Sequence, residues 1–579
     1  MTIFNRVTTA ALALLFISLL IPYSSCVPEE NILRTTTLLE DLSSLNPLLG
    51  NSITDWWIFL LLYDRLTSFV PPDLHVEPWL AESWEVSSDG KVWTLHLVKD
   101  ATWHDGTPFT SADVIFTIEY VKKYEISIWL DEVQNIVDAQ APDDSTVTIT
   151  TDVPLANFPS YVMARTPIIP KHIWEKVDNP KEYANENPIG TGPFKFKEYK
   201  VGEYISFTAY DRYWKGKPHI DGILAKIAVP ADVSVIEAKK GELDLLGIDV
   251  PYVKEVEADP NLKVIVSKGI YFDHLLINTK KYPFSLKEFR QALAYAIDKN
   301  RLIDRVLLGY GDPVDAVGSA PAFDYWYNPN VKKYPYDLEM AKQILDNLGF
   351  VDRNNDGIRE TRNGTKLQFE LTNLAGYSPY IRMGDVVSSQ LAEIGVSMVN
   401  TPVEWATQSK KANERDFYAM VWGWTIAPEP AQYLGTFRAE NPYWSAGEMR
   451  NQTFNDVFDA QKSEMSPEKR RAMIFQLEAI LSEELPVIPI WIMDVVEAYR
   501  IDRFTNFTPA PMGIGGIYNK VTWLTVEPVA KPEVTETTTA ATVTIQPQVT
   551  EVVPWWAYGL IVLVIVLAAA LLVKMRKRT

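Results

Sequence analysis

His104 and Asp105 are adjacent, and side chains of these two types can act together as a general acid–base pair or as metal ligands. The same segment has a simpler interpretation. Asp105-Gly106 suits a turn after a strand, because glycine tolerates positive φ. Thr110 or Ser111 would then cap the helix that follows. This turn-and-cap arrangement accounts for both residues without any chemistry.

Motifs of common hydrolases are absent from the sequence. It contains no His-Glu-x-x-His and no Gly-x-Ser-x-Gly, and its one cysteine, Cys26, lies near the N-terminus. Paired carboxylates that cleave glycosidic bonds have no fixed spacing. We therefore expect a binding protein rather than an enzyme, and a surface-anchored hydrolase of oligosaccharides or peptides stays as the alternative.

Residues 352–363 resemble the front half of a calcium-binding loop. Asp352, Asn354 and Asp356 place oxygen ligands at alternate positions, a glycine follows at the sixth, and Glu360 occupies the ninth. The twelfth position is Asn363 instead of the usual bidentate glutamate. The segment is either a structural calcium site or an Asx-rich turn between a helix and a strand. No other cofactor is expected.

Trp422 and Trp424 are candidates for contacting a ligand. They are two residues apart, so in a strand both indoles project from the same face. A face of indole rings suits a sugar ring or an apolar side chain. Packing in the core between a strand and a helix is the alternative.

Hydropathy patterns predict a mixture of strands and helices around these residues. Residues 91–97 and 146–150 alternate apolar and polar side chains, which predicts strands with one buried face. Residues 286–308 have a helical apolar stripe. Asp337 precedes a second stripe and would cap a helix that ends at Gly349. Such a mixture predicts α/β lobes.

Composition limits the classes of protein that the chain can be. It has 47% hydrophobic and 22% charged residues, as globular proteins do. Without its terminal segments it has roughly 500 residues, which is more than a single core supports. Two or more lobes are expected. The net charge of −19 argues against nucleic acid as a partner.

Both termini carry segments that predict an extracytoplasmic location. Residues 1–27 are typical of a signal peptide. Residues 554–573 predict a transmembrane helix, with the basic residues 574–579 in the cytoplasm. The Thr- and Pro-rich residues 528–553 predict an extended linker. The protein would then be held at the cell surface, in the cytoplasmic membrane, by its C-terminal helix.

A series of motifs between about residues 35 and 525 carries a resemblance to a known family. They are Leu45-Asn46-Pro47, Tyr63-Asp64-Arg65-Leu66, Pro78-Trp79-Leu80-Ala81-Glu82-Ser83-Trp84, Asp89-Gly90, Trp103-His104-Asp105-Gly106-Thr107-Pro108-Phe109-Thr110-Ser111-Ala112-Asp113-Val114, Pro188-Ile189-Gly190-Thr191-Gly192-Pro193-Phe194, Tyr213-Trp214-Lys215-Gly216-Lys217-Pro218, Gly241-Glu242-Leu243-Asp244 and Phe289-Arg290-Gln291-Ala292-Leu293. In order and number they resemble the extracytoplasmic solute-binding proteins of ABC importers, family 5, which bind peptides, nickel or oligosaccharides.

This resemblance implies a two-lobed α/β fold, similar to periplasmic binding proteins of type II, with an extra domain in the first lobe. The implied boundaries are 28–75, 188–270 and 487–527 for lobe I, 76–187 for the extra domain, and 271–486 for lobe II. The implied partners are an ABC permease with cytoplasmic ATPases and a short oligomeric ligand. The lobes would close over the ligand by a hinge motion, and the protein is expected to be a monomer.

The resemblance also implies where the ligand binds. Tryptophans of peptide-binding relatives that match Trp405 and Trp424 line the cavity. Those relatives also carry an aspartate a few residues later, which holds the ligand's α-ammonium, whereas no acid occupies that position here. A buried ammonium needs a counter-charge, so Glu429 or Asp273 would have to replace it.

Without such an acid, an oligosaccharide is the preferred ligand of the two, because sugars bind through aromatic stacking and neutral hydrogen bonds. Aromatic residues that could stack are Trp405, Trp422, Trp424, Tyr443, Trp444 and Trp57.

Overall fold

Alternating apolar residues and caps divide the chain into many short elements. The computed structural model describes residues 31–36, 41–438 and 449–530. Its strands are β1 Ile32–Thr36, β2 Thr67–Val70, β3 His75–Pro78, β4 Ala81–Val86, β5 Val92–Leu97, β6 Ile136–Asp143, β7 Thr146–Thr151, β8 Phe194–Lys200, β9 Tyr204–Ala209, β10 Gly222–Lys226, β11 Leu245–Gly247, β12 Leu262–Ser267, β13 Tyr271–Ile277, β14 Gly311–Pro313, β15 Gln368–Leu374, β16 Ser397–Val403, β17 Ala419–Thr425, β18 Val487–Met493, β19 Val495–Arg500, β20 Phe504–Thr505 and β21 Glu527–Pro528.

Helices connect and cover these strands. They are α1 Ile53–Leu62, α2 Ser111–Lys123, α3 Ser127–Val133, α4 Lys171–Trp174, α5 Ala231–Lys240, α6 Val253–Glu257, α7 Lys287–Tyr295, α8 Lys299–Val306, α9 Leu338–Asn347, α10 Ser378–Ala392, α11 Trp405–Glu414, α12 Pro430–Leu434, α13 Gln452–Ser463, α14 Pro467–Glu484 and α15 Lys520–Thr525, with a π-helix at Phe158–Met163 and short 3-10 turns at Val250–Tyr252 and Gly435–Phe437.

Three larger sheets build the first lobe and its extra domain. The order β1-β10-β9-β8 forms one sheet, in which only β1 and β10 are parallel. A second sheet has the order β11-β19-β12, in which β19 comes from near the end of the described chain. The third sheet, β4-β5-β7-β6, forms the extra domain. The extra domain has a core of its own, which includes Trp93, Trp103 and Trp174.

The second lobe is built on one mixed sheet of order β14-β18-β13-β17-β15-β16. Strand β13 pairs antiparallel with both β17 and β18, whereas β15 pairs parallel with β16 and β17. One face of this sheet packs on a core that includes Leu275, Ile277 and Trp491. The opposite face carries Phe272 and Trp422, because side chains alternate along a strand.

The chain passes between the sheets of the two lobes twice. Residues 268–270 lead from β12 to β13, and Asp494 leads from β18 back to β19. The predicted return at residue 487 is therefore too early, since Val487–Met493 pairs with β13 inside the second lobe. An almost fully buried strand explains this continuous apolar run.

Several predicted elements are present in the structure. Strands β5 and β7 match the two alternating segments, and Asp337 caps α9 by accepting a hydrogen bond from the Met340 amide at 2.9 Å. The helix predicted over 286–308 is two helices, α7 and α8. Asp298 separates them, because its side chain accepts the Arg301 amide (3.0 Å) and starts a new helix.

The prediction of a C-terminal transmembrane helix is corrected. In the part of the chain that the structure describes, no helix is both long enough and apolar enough to cross a bilayer. The predicted span 554–573 lies outside that part, as do the predicted signal 1–27, nearly all of the linker 528–553 and the tail 574–579. The helix, and the anchored cell-surface location inferred from it, are withdrawn.

Candidate functional site

The predicted tryptophans form two aromatic stacks on the second lobe. Strand β17 presents Trp422 and Trp424 on the same face, as the spacing predicts. Trp405, the first residue of α11, stacks on Trp422 with ring centroids 5.7 Å apart and an interplanar angle of 30°. Trp405 is 54% exposed while Trp422 is buried, so the pair presents part of its indole surface to solvent.

The second stack joins Trp424 to Tyr433 of α12, with centroids 6.2 Å apart. Tyr433 is buried and also meets Phe272 edge-on at 5.9 Å. Trp424 is only partly buried and packs against the core. The structure shows the packing against the core, and the contact with a ligand stays a prediction.

Trp57, another of the predicted aromatic residues, does not join these stacks. Trp57 is 3% exposed and lies in the core of the first lobe, where Trp523 and Phe207 meet it edge-on. Tyr443 and Trp444 lie outside the described residues.

Asp273 lies on β13, directly across from Gly423 of β17. Its carboxylate accepts hydrogen bonds from the hydroxyl of Tyr380 at 2.8 Å and from the indole N–H of Trp491 at 2.7 Å. Burial raises the pKa of Asp273 to about 7. A Cβ at Gly423 would lie 2.5 Å from the carboxylate and 2.3 Å from the Tyr380 hydroxyl, so only glycine leaves room for this cluster.

Sequence reasoning missed Tyr380 and Trp491 as partners of Asp273. No local signal could have found them, because each is more than 100 positions away in the chain. Their two hydrogen bonds occupy both carboxylate oxygens of Asp273.

Glu429, the other predicted replacement for the missing aspartate, is also engaged. Arg470 forms an ion pair with it, and the Ser160 hydroxyl donates a hydrogen bond at 2.5 Å. Glu429 also caps α12 by accepting the Ala431 amide at 3.1 Å. With its side chain 1% exposed, this carboxylate joins the second lobe to the extra domain and is not presented to a ligand.

In the calcium-like segment, the side-chain oxygens accept hydrogen bonds from backbone amides of the same segment. Asp352 accepts the amides of Asp356 (3.2 Å) and Gly357 (2.8 Å), and Asp356 accepts the amide of Ile358 and pairs with Lys366. These contacts are those of an Asx-rich turn.

The other two predicted calcium ligands take part in the same network. Asn354 accepts the Asp356 amide at 3.0 Å, and the buried Glu360 accepts the Arg353 amide at 2.9 Å. Within residues 31–36, 41–438 and 449–530, no group of three or more His, Cys, Asp or Glu side chains is placed to hold a metal ion.

Comparison with known proteins identifies the family. A profile described as "Bacterial extracellular solute-binding proteins, family 5 Middle" matches residues 75–445. The oligopeptide-binding protein AppA of Bacillus subtilis is 30% identical over 386 residues, which are 64% of this chain and 70% of AppA. The chain belongs to this family.

One further relative and one solved structure show the range of the resemblance. The heme-binding protein A of Haemophilus influenzae is 28% identical over 494 residues, covering 79% of this chain and 86% of that protein. The solved structure of B. subtilis AppA in complex with a nonapeptide superposes with a TM-score of 0.72 at 25% identity, over 86% of this chain and 99% of that one. The family 5 member described here is thus a two-lobed solute-binding protein and not an enzyme.

The family 5 motif around His104 is structural, as its turn-and-cap interpretation predicts. His104 Nε2–H donates to the Gly192 carbonyl at 2.9 Å, and the Gly190 amide donates to Nδ1 at 3.2 Å. Burial lowers the pKa of His104 to about 4, so the ring is neutral. Both ring nitrogens are occupied in holding the Gly190-Thr191-Gly192 segment, which leaves neither for catalysis or a metal.

Glu478 and Glu497 are also buried, and neither forms an ion pair with another residue that the structure describes. Glu478 accepts the Asn328 amide at 2.9 Å and a hydrogen bond from Ser319, and burial raises its pKa to about 8. Glu497 accepts the amides of Ile514 and Gly515, and burial raises its pKa to about 7.

The protein is expected to lose stability as pH rises from about 5 to about 8. Asp273, Glu478 and Glu497 bind a proton more tightly in the folded than in the unfolded chain, so their contribution is full below the ordinary pKa of 3.8 to 4.5 and declines as pH rises towards the folded values. Each group lowers the free energy of unfolding by at most about 1.4 kcal/mol per pH unit in this window. Urea denaturation across the range measures the slope.

The matched variant is Glu478→Gln, which keeps the shape of this side chain but cannot ionise. Its stability should fall less steeply with pH than that of the wild type. Equal slopes for the two proteins would show that Glu478 is not the source of the dependence.

Proposed function

We propose that this protein captures a short peptide outside the cytoplasm and passes it intact to an ABC permease. The observation that carries the proposal is Trp405, which is 54% exposed and stacks on Trp422. Within the described residues, its lobe is connected to the other sheets through residues 268–270 and 494. Closure about two short crossings buries a ligand against such a face. The likeness to AppA, named for oligopeptides, supports a peptide as the ligand.

The free amino terminus of the peptide is not the recognised group. Glu429 is paired with Arg470, and both oxygens of Asp273 are engaged by Tyr380 and Trp491. A buried ammonium without a counter-charge costs several kcal/mol. Binding therefore rests on the aromatic stacks and on hydrogen bonds to the peptide backbone.

Peptides from dipeptide to nonapeptide are expected to bind whether or not the amino terminus is acetylated. Because no acid is presented to the ammonium, acetylation should change Kd by less than about threefold. Titration calorimetry with paired free and acetylated peptides measures the ratio, with oligosaccharides and heme as further ligands. A loss above about a hundredfold on acetylation would contradict the proposed recognition.

Oligosaccharide binding, the preference drawn from the sequence, is tested by the sugar ligands of the same screen. Binding of sugars alone would replace the peptide proposal.

Trp405→Ala should weaken binding by roughly 10- to 100-fold through loss of the stacked indole. Trp84→Ala, which changes a partly exposed tryptophan of the extra domain, is the control and should leave Kd unchanged.

A further inference from the structure

The extra domain and the second lobe touch along a strip that does not include the two crossings. Residues 154–160, which follow β7 in the extra domain, form one side of this strip. Glu429 and residues 462–465, which lie between β17 and β18 of the second lobe, form the other side. Within the strip, the Ala156 amide donates to the Lys462 carbonyl at 2.7 Å. A main-chain hydrogen bond therefore joins the two parts directly.

Met465 adds an apolar contact to the strip. It lies between α13 and α14 on the second lobe. A Cβ at Gly90, in the turn between β4 and β5, would be 3.0 Å from the sulfur of Met465 and 3.0 Å from Pro154. The turn and the segment after β7 thus meet at the same methionine. A flexible thioether fits such an irregular surface, and it can separate from it without exposing a buried polar group.

The polar side-chain contact of the strip comes from a carboxylate that the second lobe holds in place. The side chain of Glu429 is 1% exposed. Its Oε1 accepts hydrogen bonds from Arg470 and from the Ala431 amide, both within the second lobe. Its Oε2 accepts the hydroxyl of Ser160 in the extra domain at 2.5 Å. One oxygen therefore fixes the carboxylate in its own lobe, and the other reaches across the contact.

Separating the two parts would affect the two partners of this hydrogen bond differently. The Ser160 hydroxyl has a second acceptor, the Asn157 carbonyl, at 3.2 Å in its own domain. Glu429 Oε2 would lose its donor and depend on water. Hydrogen bonds to a charged acceptor are about twice as strong as those between neutral groups. The contact therefore favours the arrangement in which the lobes are together.

We propose that this strip is a latch that holds the lobes together and sets the rate at which a bound solute is released. The inference rests on the proposed function, in which closure of the lobes encloses the solute. An enclosed solute leaves only after the lobes part. An interaction that is made only in the closed form stabilises that form and slows release.

Hydrogen exchange at the Ala156 amide measures the latch without any ligand, because its acceptor lies on the other side of the contact. Ser160→Ala removes the hydrogen bond to Glu429 and should speed this exchange about tenfold. Ser145→Ala is the matched control, since the Ser145 hydroxyl donates to Asp143 at 3.0 Å within the extra domain. It should leave exchange at Ala156 unchanged. Equal exchange in Ser160→Ala and the wild type would overturn the latch.

Met465→Ala is a second variant that tests the same contact from the second lobe. Met465 is 37% exposed, so the fold should tolerate the smaller side chain. Loss of its apolar contact should speed exchange at Ala156 roughly threefold. An unchanged rate in this variant as well would show that the strip does not hold the lobes.

Release of tetra-alanine, followed by tryptophan fluorescence in a stopped-flow instrument, tests the effect on a ligand. Ser160→Ala should raise the dissociation rate constant about tenfold and leave the association rate constant nearly unchanged. Ser145→Ala should change neither. An unchanged dissociation rate in Ser160→Ala would overturn the role of the latch in release. Failure of tetra-alanine and of every other peptide to bind would overturn the proposed function, whereas exchange at Ala156 reports on the latch alone.

Discussion

Lys520→Met is expected to lower the free energy of unfolding by about 3–5 kcal/mol, because it leaves the Asp64 carboxylate buried without its cation. Asp64 is fully buried and Lys520 is 3% exposed. Besides Asp64, the ammonium donates to the Tyr63 carbonyl at 2.8 Å. The replacement methionine fills a similar volume, so the loss reflects charge rather than packing. Urea denaturation of the purified protein measures it.

A double variant separates the ion pair from the rest of the site. Asp64→Asn with Lys520→Met removes both charges, and we expect it to be more stable than either single variant. Lys217→Met is the matched control, since Lys217 pairs with Asp211 on the surface at 2.7 Å and such exposed pairs contribute little to stability. If the buried and the surface variants lose the same stability, Asp64 does not depend on Lys520.

The hydrogen bonds to Asp64 explain why three separate sequence motifs occur together in this chain. Asp64 accepts hydrogen bonds from the indole of Trp79 at 2.8 Å, the indole of Trp214 at 3.1 Å and the hydroxyl of Tyr213 at 3.2 Å. Each motif is visible in the sequence, and their common order supports the family. The sequence could not predict that these residues meet at one carboxylate, because they lie 15 to 150 positions from Asp64 along the chain.

Local patterns predicted local structure well and long-range structure poorly. Period-two alternation was sufficient for β5 and β7, because each strand buries a single face. The apolar stripe of residues 286–308 continues across the boundary between α7 and α8. Hydrophobic periodicity alone therefore does not reveal that Asp298 caps a new helix there.

The candidate site shows the same limit. The spacing of Trp422 and Trp424 predicted a shared face, which β17 confirms. Trp57 was predicted to stack on a sugar only because it is aromatic, and in the structure Trp523 and Phe207 meet it edge-on.

Gly269→Ala is expected to destabilise the protein and to disturb closure of the lobes. Gly269 lies in the first crossing, and a Cβ there would be 1.8 Å from the carbonyl oxygen of Met493, next to the second crossing. The two crossings therefore touch through backbone, and a methyl group would force them apart. Crowding of this kind costs about 1–3 kcal/mol and at times more.

In the proposed closure of the lobes, the two crossings would bend together. Lys268 ties them further, with its ammonium 3.3 Å from Asp494 and 2.6 Å from Asp312. Separated crossings would bend independently, so Gly269→Ala should lower the melting midpoint and weaken the compaction that peptide induces in small-angle X-ray scattering. Gly247→Ala is the control, since nothing lies within 4 Å of a Cβ at that position. Two variants that melt and compact alike would mean that the crossings do not form a coupled hinge.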